Sequence, residues 1–351
     1  MSSEIQQLEP AALDLESLRA NLLRVKEPRR VHIFEHGIDD AIKDALAKRF
    51  SLSRGLSEPA GTEAYAWRRD IAIHRFIGTE LMRLWLPGAE YAVAGSKGIA
   101  WGEEHIGPIQ TWEDIETYDW PDPDAIDYAE LEWHERHLPP DMGVFHVVKI
   151  WEVVRELLGF ESFCFKLIEE PDLVAEVLRR VGEFHFAFTH ALCDFRCVFA
   201  VYAADDYGYK TSTMFAPQTI IEQFLPWHKL MAGLAHEHDK FFFFHSCGKV
   251  DALMDTLIEE VGIDAKHSFE DAVVPVTEAK RRWGKRVSLL GGLDVDCIAR
   301  SNPDAIRRRV RETLEVCQPG GGYCLGLGNW VTRYIPIDHY LAVLDEARKF
   351  K

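Results

Sequence analysis

Residues 241–248, Phe-Phe-Phe-Phe-His-Ser-Cys-Gly, constrain the fold of this chain more than any other stretch. Four consecutive phenylalanines form an apolar run too short for a helix, with a charged segment before it and a glycine after it. Such a run is typical of a strand buried on both faces, as in parallel sheets. Because side chains alternate along a strand, His245 and Cys247 should point to the same side where the strand ends.

A histidine nitrogen and a cysteine sulfur that converge at the end of a strand are suited to zinc. A third ligand is needed, and Cys324 is the best remaining candidate, because it lies in another short apolar strand that ends in glycines. Three protein ligands would leave a fourth position for an exchangeable group. Glu35 is a candidate for that position until substrate arrives, the alternative being an exposed carboxylate. Without a third ligand, His245 and Cys247 would be a core histidine and a buried thiol.

Composition excludes several classes of function. The net charge of −17 gives the chain no electrostatic affinity for phosphates, so we expect no nucleic-acid partner. The sequence shows no signal peptide and no apolar run of about 18 residues, so we expect no membrane span. The seven cysteines are scattered and odd in number, which argues against a disulfide framework and favours a cytoplasmic location.

Strand patterns alternate with helical patterns along the whole chain. Strands are predicted over 30–37, 91–95, 143–149, 197–206, 240–245, 263–268, 287–291 and 322–325. Helices are predicted over 38–50, 62–86, 121–139, 150–169, 171–194, 217–239, 250–261, 274–283, 303–316 and 336–350. This alternation predicts an α/β fold, a single (β/α)8 TIM-type barrel over residues 30–351 preceded by a helical N-terminal arm over 1–29.

In such barrels the chemistry lies at the carboxyl ends of the strands. Two groups of polar side chains other than the predicted zinc ligands follow predicted strands. The candidates for catalysis, as a general acid or base or as a partner of a ligand, are His267, Glu270 and Asp206. The candidates for substrate binding are His36, Asp205, His146 and Asp294. For Asp205, Asp206 and Asp294 the alternative role is that of a cap or turn residue.

Several stretches resemble the uroporphyrinogen decarboxylase superfamily over roughly residues 140–351. They are Asp205-Asp206 with Phe215-Ala-Pro and Phe224-Leu-Pro-Trp, then His245-Ser-Cys-Gly, Gly291-Gly-Leu-Asp294 and Gly-Tyr-Cys324. The chain is most similar to the corrinoid-linked methyltransferase branch, which includes methylcobamide:coenzyme M enzymes and O-demethylase components. The His-x-Cys and later Cys arrangement resembles the zinc signature of that branch.

This resemblance implies a zinc enzyme that moves a methyl group between a corrinoid and a small thiol, ether or similar substrate. No Asp-x-His-x-x-Gly corrinoid-binding segment is found, so the corrinoid would arrive on a partner protein. The ligand set His245, Cys247 and Cys324 predicts that Cys247→Ala and Cys324→Ala would each lose the metal.

Two other readings stay open at this point. One is a metal-free decarboxylase of the uroporphyrinogen decarboxylase type, although the acidic segment Phe34–Asp40 stands where those enzymes carry arginines that grip carboxylates. The other is a non-catalytic barrel with a structural metal. The sequence leaves open the methyl donor or acceptor, the direction of transfer and the oligomeric state, a homodimer included.

Overall fold

One parallel sheet forms the centre of the protein in a computed structural model that describes residue 8 and residues 11–91 and 106–350. In that part of the chain the sheet has seven strands, which follow one another in chain order. They are β1 (Leu81–Arg83), β2 (Gly143–Val148), β3 (Val198–Ala204), β4 (Phe241–His245), β5 (Ala265–His267), β6 (Ser288–Leu290) and β7 (Tyr323–Cys324). Every neighbouring pair is parallel.

The segment around Ile33 lies beyond β7 and brings the two edges of the sheet together. Ile33 forms a parallel bridge with Leu325, and His32 Nδ1 lies 3.0 Å from an oxygen of Glu80, the residue before β1. The ring of Phe34 lies 5.3 Å from Phe145 of β2 and 6.0 Å from Phe243 of β4. The sheet therefore curls around a shared apolar interior, which is consistent with a TIM-type barrel.

Helices surround this sheet, and in the described part of the chain none is long and apolar enough to cross a membrane. The first eight are α1 (Leu15–Leu22), α2 (Asp40–Arg49), α3 (Glu63–Ile77), α4 (Trp112–Thr117), α5 (Ala129–His137), α6 (Trp151–Leu158), α7 (Phe160–Glu169) and α8 (Pro171–Cys193). The remainder are α9 (Pro217–Thr219), α10 (Leu225–Glu237), α11 (Met254–Thr256), α12 (Val276–Trp283), α13 (Val295–Arg300), α14 (Pro303–Cys317) and α15 (Ile337–Lys349). π-helical turns, Ile220–Phe224 and Leu257–Val261, adjoin α9 and α11.

The strands predicted from 143 onward are present as β2 to β7, and the earlier ones differ. The long helix predicted over 62–86 ends at Gly78, whose φ of 94° closes α3 in a left-handed cap and lets β1 begin three residues later. The strand predicted over 30–37 is reduced to the bridge at Ile33. The strand predicted over 91–95 lies outside the described residues beyond Tyr91. Gly159, at φ 79°, divides the helix predicted over 150–169 into α6 and α7.

Helix α1 closes the amino-terminal end of the interior. Within the arm predicted over 1–29, the described residues contain α1. Its Leu18 and Leu22 are buried against the same apolar cluster as Phe243 and Cys324. The amide of Asn21 donates to the carbonyl of Tyr323 at 2.8 Å, which ties α1 to β7. This end of the sheet is therefore a packed floor, opposite the carboxyl ends of the strands.

Asp205 joins β3 to two helices at the other end. It is fully buried, and its carboxylate accepts hydrogen bonds from the backbone N–H groups of Ile150 and Glu152, both at 3.0 Å, where α6 begins. The ring Nε2 of His228, on α10, lies 2.8 Å from the same carboxylate. Since Ile150 has no side-chain oxygen to cap its own helix, Asp205 satisfies those N–H groups from outside.

We expect Asp205→Ala to lower the free energy of unfolding by about 3–5 kcal/mol, because it leaves buried N–H groups and His228 without their acceptor. Urea denaturation measures the loss. The matched control is Asp304→Ala, which removes an exposed carboxylate from the first turn of α14 and should cost no more than about 1 kcal/mol. Equal losses in the two variants would contradict the capping role.

Glu35 fastens the first segment to the end of the chain from a fully buried position. Its carboxyl accepts from the N–H of Leu327 at 3.1 Å and from the hydroxyl of Tyr340, on α15, at 3.2 Å. Burial raises the pKa of Glu35 to about 8, and these two hydrogen bonds lower it only in part. The group is therefore protonated in the folded protein at pH values where it ionises in the unfolded chain.

Because the pKa of Glu35 is higher in the folded protein than in the unfolded chain, its contribution to the free energy of unfolding is fully present below about pH 4.5. It declines as the pH rises through 8. Glu35→Gln keeps a neutral group of the same shape, so its stability relative to wild type should grow with pH, reaching about 4 kcal/mol at pH 8. Urea denaturation of both proteins at pH 5 and pH 8 measures the change. A difference that is the same at both pH values would contradict the prediction.

Candidate metal centre

Polar side chains converge where β3, β4 and β5 end. His245 is the last residue of β4, and parallel pairing places it beside Ala204 of β3 and His267 of β5. Asp206 follows β3 by two residues, and Cys247 follows β4 by two. Because alternate residues share a face, the two histidines and Cys247 all point into the mouth of the curled sheet.

His267 is fixed as a neutral ring with its proton on Nε2. The ring is fully buried, and burial, together with the nearby His245, holds the pKa of His267 well below its ordinary value. Its Nε2 lies 3.3 Å from the carbonyl oxygen of Leu327, which can only accept a hydrogen bond. Nε2 therefore carries the hydrogen, and Nδ1 of the same ring is an acceptor.

That acceptor determines the tautomer of His245. The two Nδ1 atoms lie 2.7 Å apart, and the hydroxyl of Tyr202 lies 3.1 Å from Nδ1 of His245 and 2.8 Å from Nδ1 of His267. Whether the contact is direct or passes through Tyr202, Nδ1 of His245 must donate. In its neutral form the ring of His245 therefore has no hydrogen on Nε2, which leaves a lone pair there of the kind that binds metals.

Nε2 of His245 faces two further donor atoms. It lies 3.5 Å from Sγ of Cys247 and 3.4 Å from Oδ1 of Asp206, and the three ligand atoms all lie within 4.8 Å of one another. At the bond lengths usual for zinc, a tetrahedral ion would separate nitrogen from sulfur by roughly 3.5 Å and nitrogen from oxygen by roughly 3.4 Å. The residues present therefore fit a zinc ion held by one nitrogen, one sulfur and one oxygen.

The surroundings keep Asp206 ionised. Burial alone would raise the pKa of its carboxyl, but the neighbouring His245 ring and the N–H of Cys247, which donates at 2.7 Å, hold the pKa well below its usual range. The thiol of Cys247 is itself held from two sides, by the hydroxyl of Ser268 and the amide of Asn329, each 3.5 Å from Sγ. Burial raises the pKa of the Cys247 thiol, and the charge of Asp206 raises it further.

Lys266 holds the ends of β4 and β5 in place from behind the site. Its buried ammonium donates to the carbonyls of Ser246, His267 and Ser268 at 2.9, 2.7 and 2.7 Å. Burial lowers the pKa of Lys266 to about 8, against the opposing effect of Cys247 and Asp206. The three carbonyls belong to residues next to or within the site, so this lysine fixes the positions of His245, Cys247 and His267.

His36 covers the site from the first segment. Its ring stacks on His245 with centroids 4.7 Å apart and meets the ring of Trp330 edge-on at 5.9 Å. Burial and the nearby His245 hold the pKa of His36 well below its ordinary value. His36, His245 and His267 form a second group whose ligand atoms lie within 4.8 Å. In that group, however, the nitrogens of His267 are engaged by Tyr202, His245 and Leu327, so the group with Asp206 and Cys247 has the freer donors.

Cys324, a predicted zinc ligand, is not in either group of candidate ligand atoms that the structure brings together. Its side chain lies in the packed interior, 1% exposed, with the amide of Asn21 3.6 Å from Sγ. The residue of this segment that contacts Cys247 is Asn329, five positions later. Strands in a barrel are tilted and staggered. A cysteine that ends β7 therefore lies farther from the mouth of the barrel than one that follows β4.

Glu35 also differs from its prediction as a fourth ligand. It is neither exposed nor in either group of candidate ligands, since Leu327 and Tyr340 engage its two oxygens. The remaining candidates divide between structure and site. Asp205 caps α6, and Asp294 caps α13 by accepting from the N–H of Cys297 at 2.9 Å. Glu270 lies at the mouth, close enough for its charge to raise the pKa of Cys247.

Tyr202, Lys266 and Asn329 are parts of the site that the sequence did not reveal. Tyr202 lies in a strand whose residues are all buried, where a hydroxyl needs a partner, and it shares the inward face with Ala204. Lys266 stands in a buried strand next to His267, and a lysine in such a strand is a comparable signal. Asn329 carried no such signal, because nothing in the sequence fixes how far the last strand extends.

Comparison with known proteins agrees with this fold. The protein-family profile described as "Uroporphyrinogen decarboxylase (URO-D)" matches residues 108–350. The chain is 30% identical over 130 residues to the uroporphyrinogen decarboxylase of Cupriavidus necator, covering 34% of each protein. It is 29% identical over 123 residues to that of Pseudomonas fluorescens, covering 33% of this chain and 32% of that protein. The matches thus span about a third of the length of these curated relatives.

A solved structure extends the likeness to nearly the whole chain. The "methyltransferase from Methanosarcina mazei" superposes with a TM-score of 0.70 at 17% identity, covering 96% of this chain and 99% of the other. At that identity the likeness shows the fold. Because the family profile covers more than half of the chain, this protein belongs to the uroporphyrinogen decarboxylase family of enzymes.

Proposed function

We propose that this protein is a zinc-dependent methyltransferase in which Asp206, His245 and Cys247 hold the metal. The observation that carries the proposal is the spacing of the three donor atoms, 3.4 and 3.5 Å from Nε2 of His245, together with the proton-free Nε2. The methyl group would move between a corrinoid on a partner protein and a small thiol, ether or similar substrate. The fold shared with the Methanosarcina mazei methyltransferase supports this choice of reaction.

A zinc ion bound there would act as a Lewis acid that stabilises the anion left on a substrate sulfur or oxygen. The protein's own residues prepare the site for that role. Tyr202 and His267 fix the orientation of the His245 ring, as a second layer of hydrogen bonds does at metal centres generally. The backbone N–H of Cys247 holds Asp206, and the side chains of Ser268 and Asn329 hold the thiol of Cys247.

The mouth of the site offers room for a large partner. A groove of about 900 Å³ runs from Asn329, which contacts Cys247, past Glu270 and Trp330 to Tyr334. The side chain of Tyr334 is 64% exposed at its outer end. A methyl group carried on a corrinoid must be presented in line with its acceptor, so a wide approach to the donor cluster is what the proposed reaction requires.

The metal test compares two cysteines of the same chain. We expect about one zinc per wild-type chain by elemental analysis, loss of that zinc in Cys247→Ala, and its retention in Cys324→Ala. The reason is that Sγ of Cys247 faces Nε2 of His245, whereas Cys324 packs beside Asn21. Circular dichroism checks that both variants fold.

The same pair of variants can contradict the proposal. Zinc retained in a folded Cys247→Ala protein would remove Cys247 from the ligand set. Zinc lost from a folded Cys324→Ala protein would restore the three-ligand set predicted from the sequence. A freshly purified, reduced wild-type protein that binds no zinc would remove the metal altogether.

The activity test uses free methylcobalamin in place of the partner protein. We expect wild-type protein to demethylate it in the presence of a thiol from a panel of small thiols, followed by the change in its visible spectrum. Asp206→Asn and Cys247→Ala should reduce the rate at least 100-fold, because each removes a donor from the group around His245. Variants with unchanged rates would contradict the assignment.

A decarboxylase remains the second candidate, because the curated relatives are named uroporphyrinogen decarboxylase. Charge repulsion from the segment Phe34–Asp40 is weaker than the sequence suggests, since Glu35 is buried with its pKa raised to about 8. Release of CO2 from uroporphyrinogen by metal-free protein, with no loss of rate in Cys247→Ala, would favour this candidate over methyl transfer.

A further inference from the structure

A second cavity opens beside the candidate metal centre, between the ends of β1 and β2. It has a volume of about 160 Å³ and is lined by Arg83, His146, Lys149 and His185, with apolar walls that include Val147 and Val153. A cavity of this size accommodates a molecule about as large as benzene. The mechanism above uses none of these side chains.

Two of the lining side chains are cations that have no carboxylate partner among the described residues. In the described part of the chain neither Arg83 nor Lys149 forms an ion pair. The guanidinium of Arg83 instead lies over the rings of Trp85 and Trp330, 5.4 Å from each centroid. Stacking of this kind holds the plane of an arginine and leaves its N–H groups free for a planar anion.

Two histidines at the same cavity have ring nitrogens with no hydrogen-bond partner in the part of the chain that the structure describes. His185, on α8, is 4% exposed, and both of its ring nitrogens are unpartnered; Nδ1 of His146, which is 7% exposed, is unpartnered as well. Burial lowers the pKa of each ring to about 3, so both are neutral and each carries one N–H. Buried polar groups of native proteins nearly always have partners, which points to a polar ligand or water in this cavity.

The cavity also has two carboxylates, Glu90 and Glu156. Glu90 is exposed at the rim, where it accepts from Nε1 of Trp85 at 3.1 Å and from the N–H of Gly88 at 2.8 Å. Glu156 is half-buried on α6. In the described residues neither forms an ion pair with Arg83 or Lys149, so the positive charge of those two groups remains available inside.

Arg83 connects this cavity to the donor cluster. The ring of Trp330 contacts Arg83 on one side and His36 on the other, and His36 stacks on His245. A ligand held by Arg83 would thus lie next to the mouth into which Asp206 and Cys247 point.

We propose that the cavity between β1 and β2 binds the carboxylate end of a small organic acid, through Arg83 and Lys149 with N–H donors from His146 and His185. Val147 and Val153 contact its apolar part. This inference rests on the proposed function in one respect, namely that the bound acid is the methyl donor or acceptor. Carboxylate binding itself does not depend on the metal.

Isothermal titration calorimetry of the 351-residue protein tests the site with benzoate as the probe and benzamide as its neutral counterpart. We expect benzoate to bind at least tenfold more tightly than benzamide, and Arg83→Met to weaken benzoate at least tenfold while leaving benzamide unchanged. Arg196→Met is the matched control, because Arg196 is 88% exposed before β3, at the opposite end of the sheet. Its benzoate affinity should equal that of wild type.

Two further variants, and inorganic phosphate as a second ligand, extend the same titration. Arg83→Lys should recover part of the affinity, and Lys149→Met, on another strand, provides a second test should Arg83→Met lower the melting temperature. Equal affinities for benzoate and benzamide, no benzoate binding, or unchanged binding in both Arg83→Met and Lys149→Met would overturn the proposal. Tighter binding of inorganic phosphate than of benzoate would overturn the assignment to carboxylates.

The metal-free Cys247→Ala variant separates this inference from the proposed function. Undiminished benzoate binding by Cys247→Ala, together with zinc retained in Arg83→Met, is the result expected of two adjacent but independent sites. Benzoate binding by a wild-type protein that holds no zinc would support the carboxylate site while removing the zinc methyltransferase.

Discussion

The parallel register that pairs Ala204 with His245, and His245 with His267, is the constraint on which the site depends. It places two imidazoles side by side at one level of the sheet, within hydrogen-bond distance of Tyr202. The carbonyl of Leu327, at one end of this row of hydrogen-bonded groups, determines which ring nitrogens carry hydrogen. Because the carbonyl of Leu327 can only accept, Nδ1 of His267 is an acceptor as well, and the neutral His245 ring keeps a lone pair on Nε2.

Electrostatics explain why such a site needs a rigid frame. Asp206 brings negative charge into a buried mouth, and Lys266 contributes a buried ammonium whose three hydrogen bonds go to backbone carbonyls. The lysine neutralises charge without occupying a ligand position. Its donors are all used within the backbone, so it holds the ends of two strands rather than entering the mouth.

The sequence predicted the strands from 143 onward and the pair His245 and Cys247, because both follow from short-range patterns. A buried apolar run marks a strand, and period-two alternation tells which residues share a face. The position of Cys324 relative to His245 and Cys247 was not predictable in this way. It depends on the stagger accumulated over the strands between β4 and β7, which no local pattern encodes. β1 was not predicted for a different reason. It has only three residues, too few to show a strand pattern, and it begins three residues after Gly78, the cap of α3.

Under the two proposals, the cavity beside β1 and β2 and the donor cluster at β3 and β4 would hold different parts of a single substrate. Arg83 and Lys149 lie on β1 and just after β2, whereas the donor atoms lie on or after β3 and β4, and the rings of Trp330 and His36 stand between them. An acid anchored by its carboxylate on one side would have its position fixed before the reacting atom reaches the other side. A single substitution at Arg83 would then weaken carboxylate binding without removing the metal, and one at Cys247 would remove the metal without weakening carboxylate binding. A site in which the same residues did both would not allow that separation.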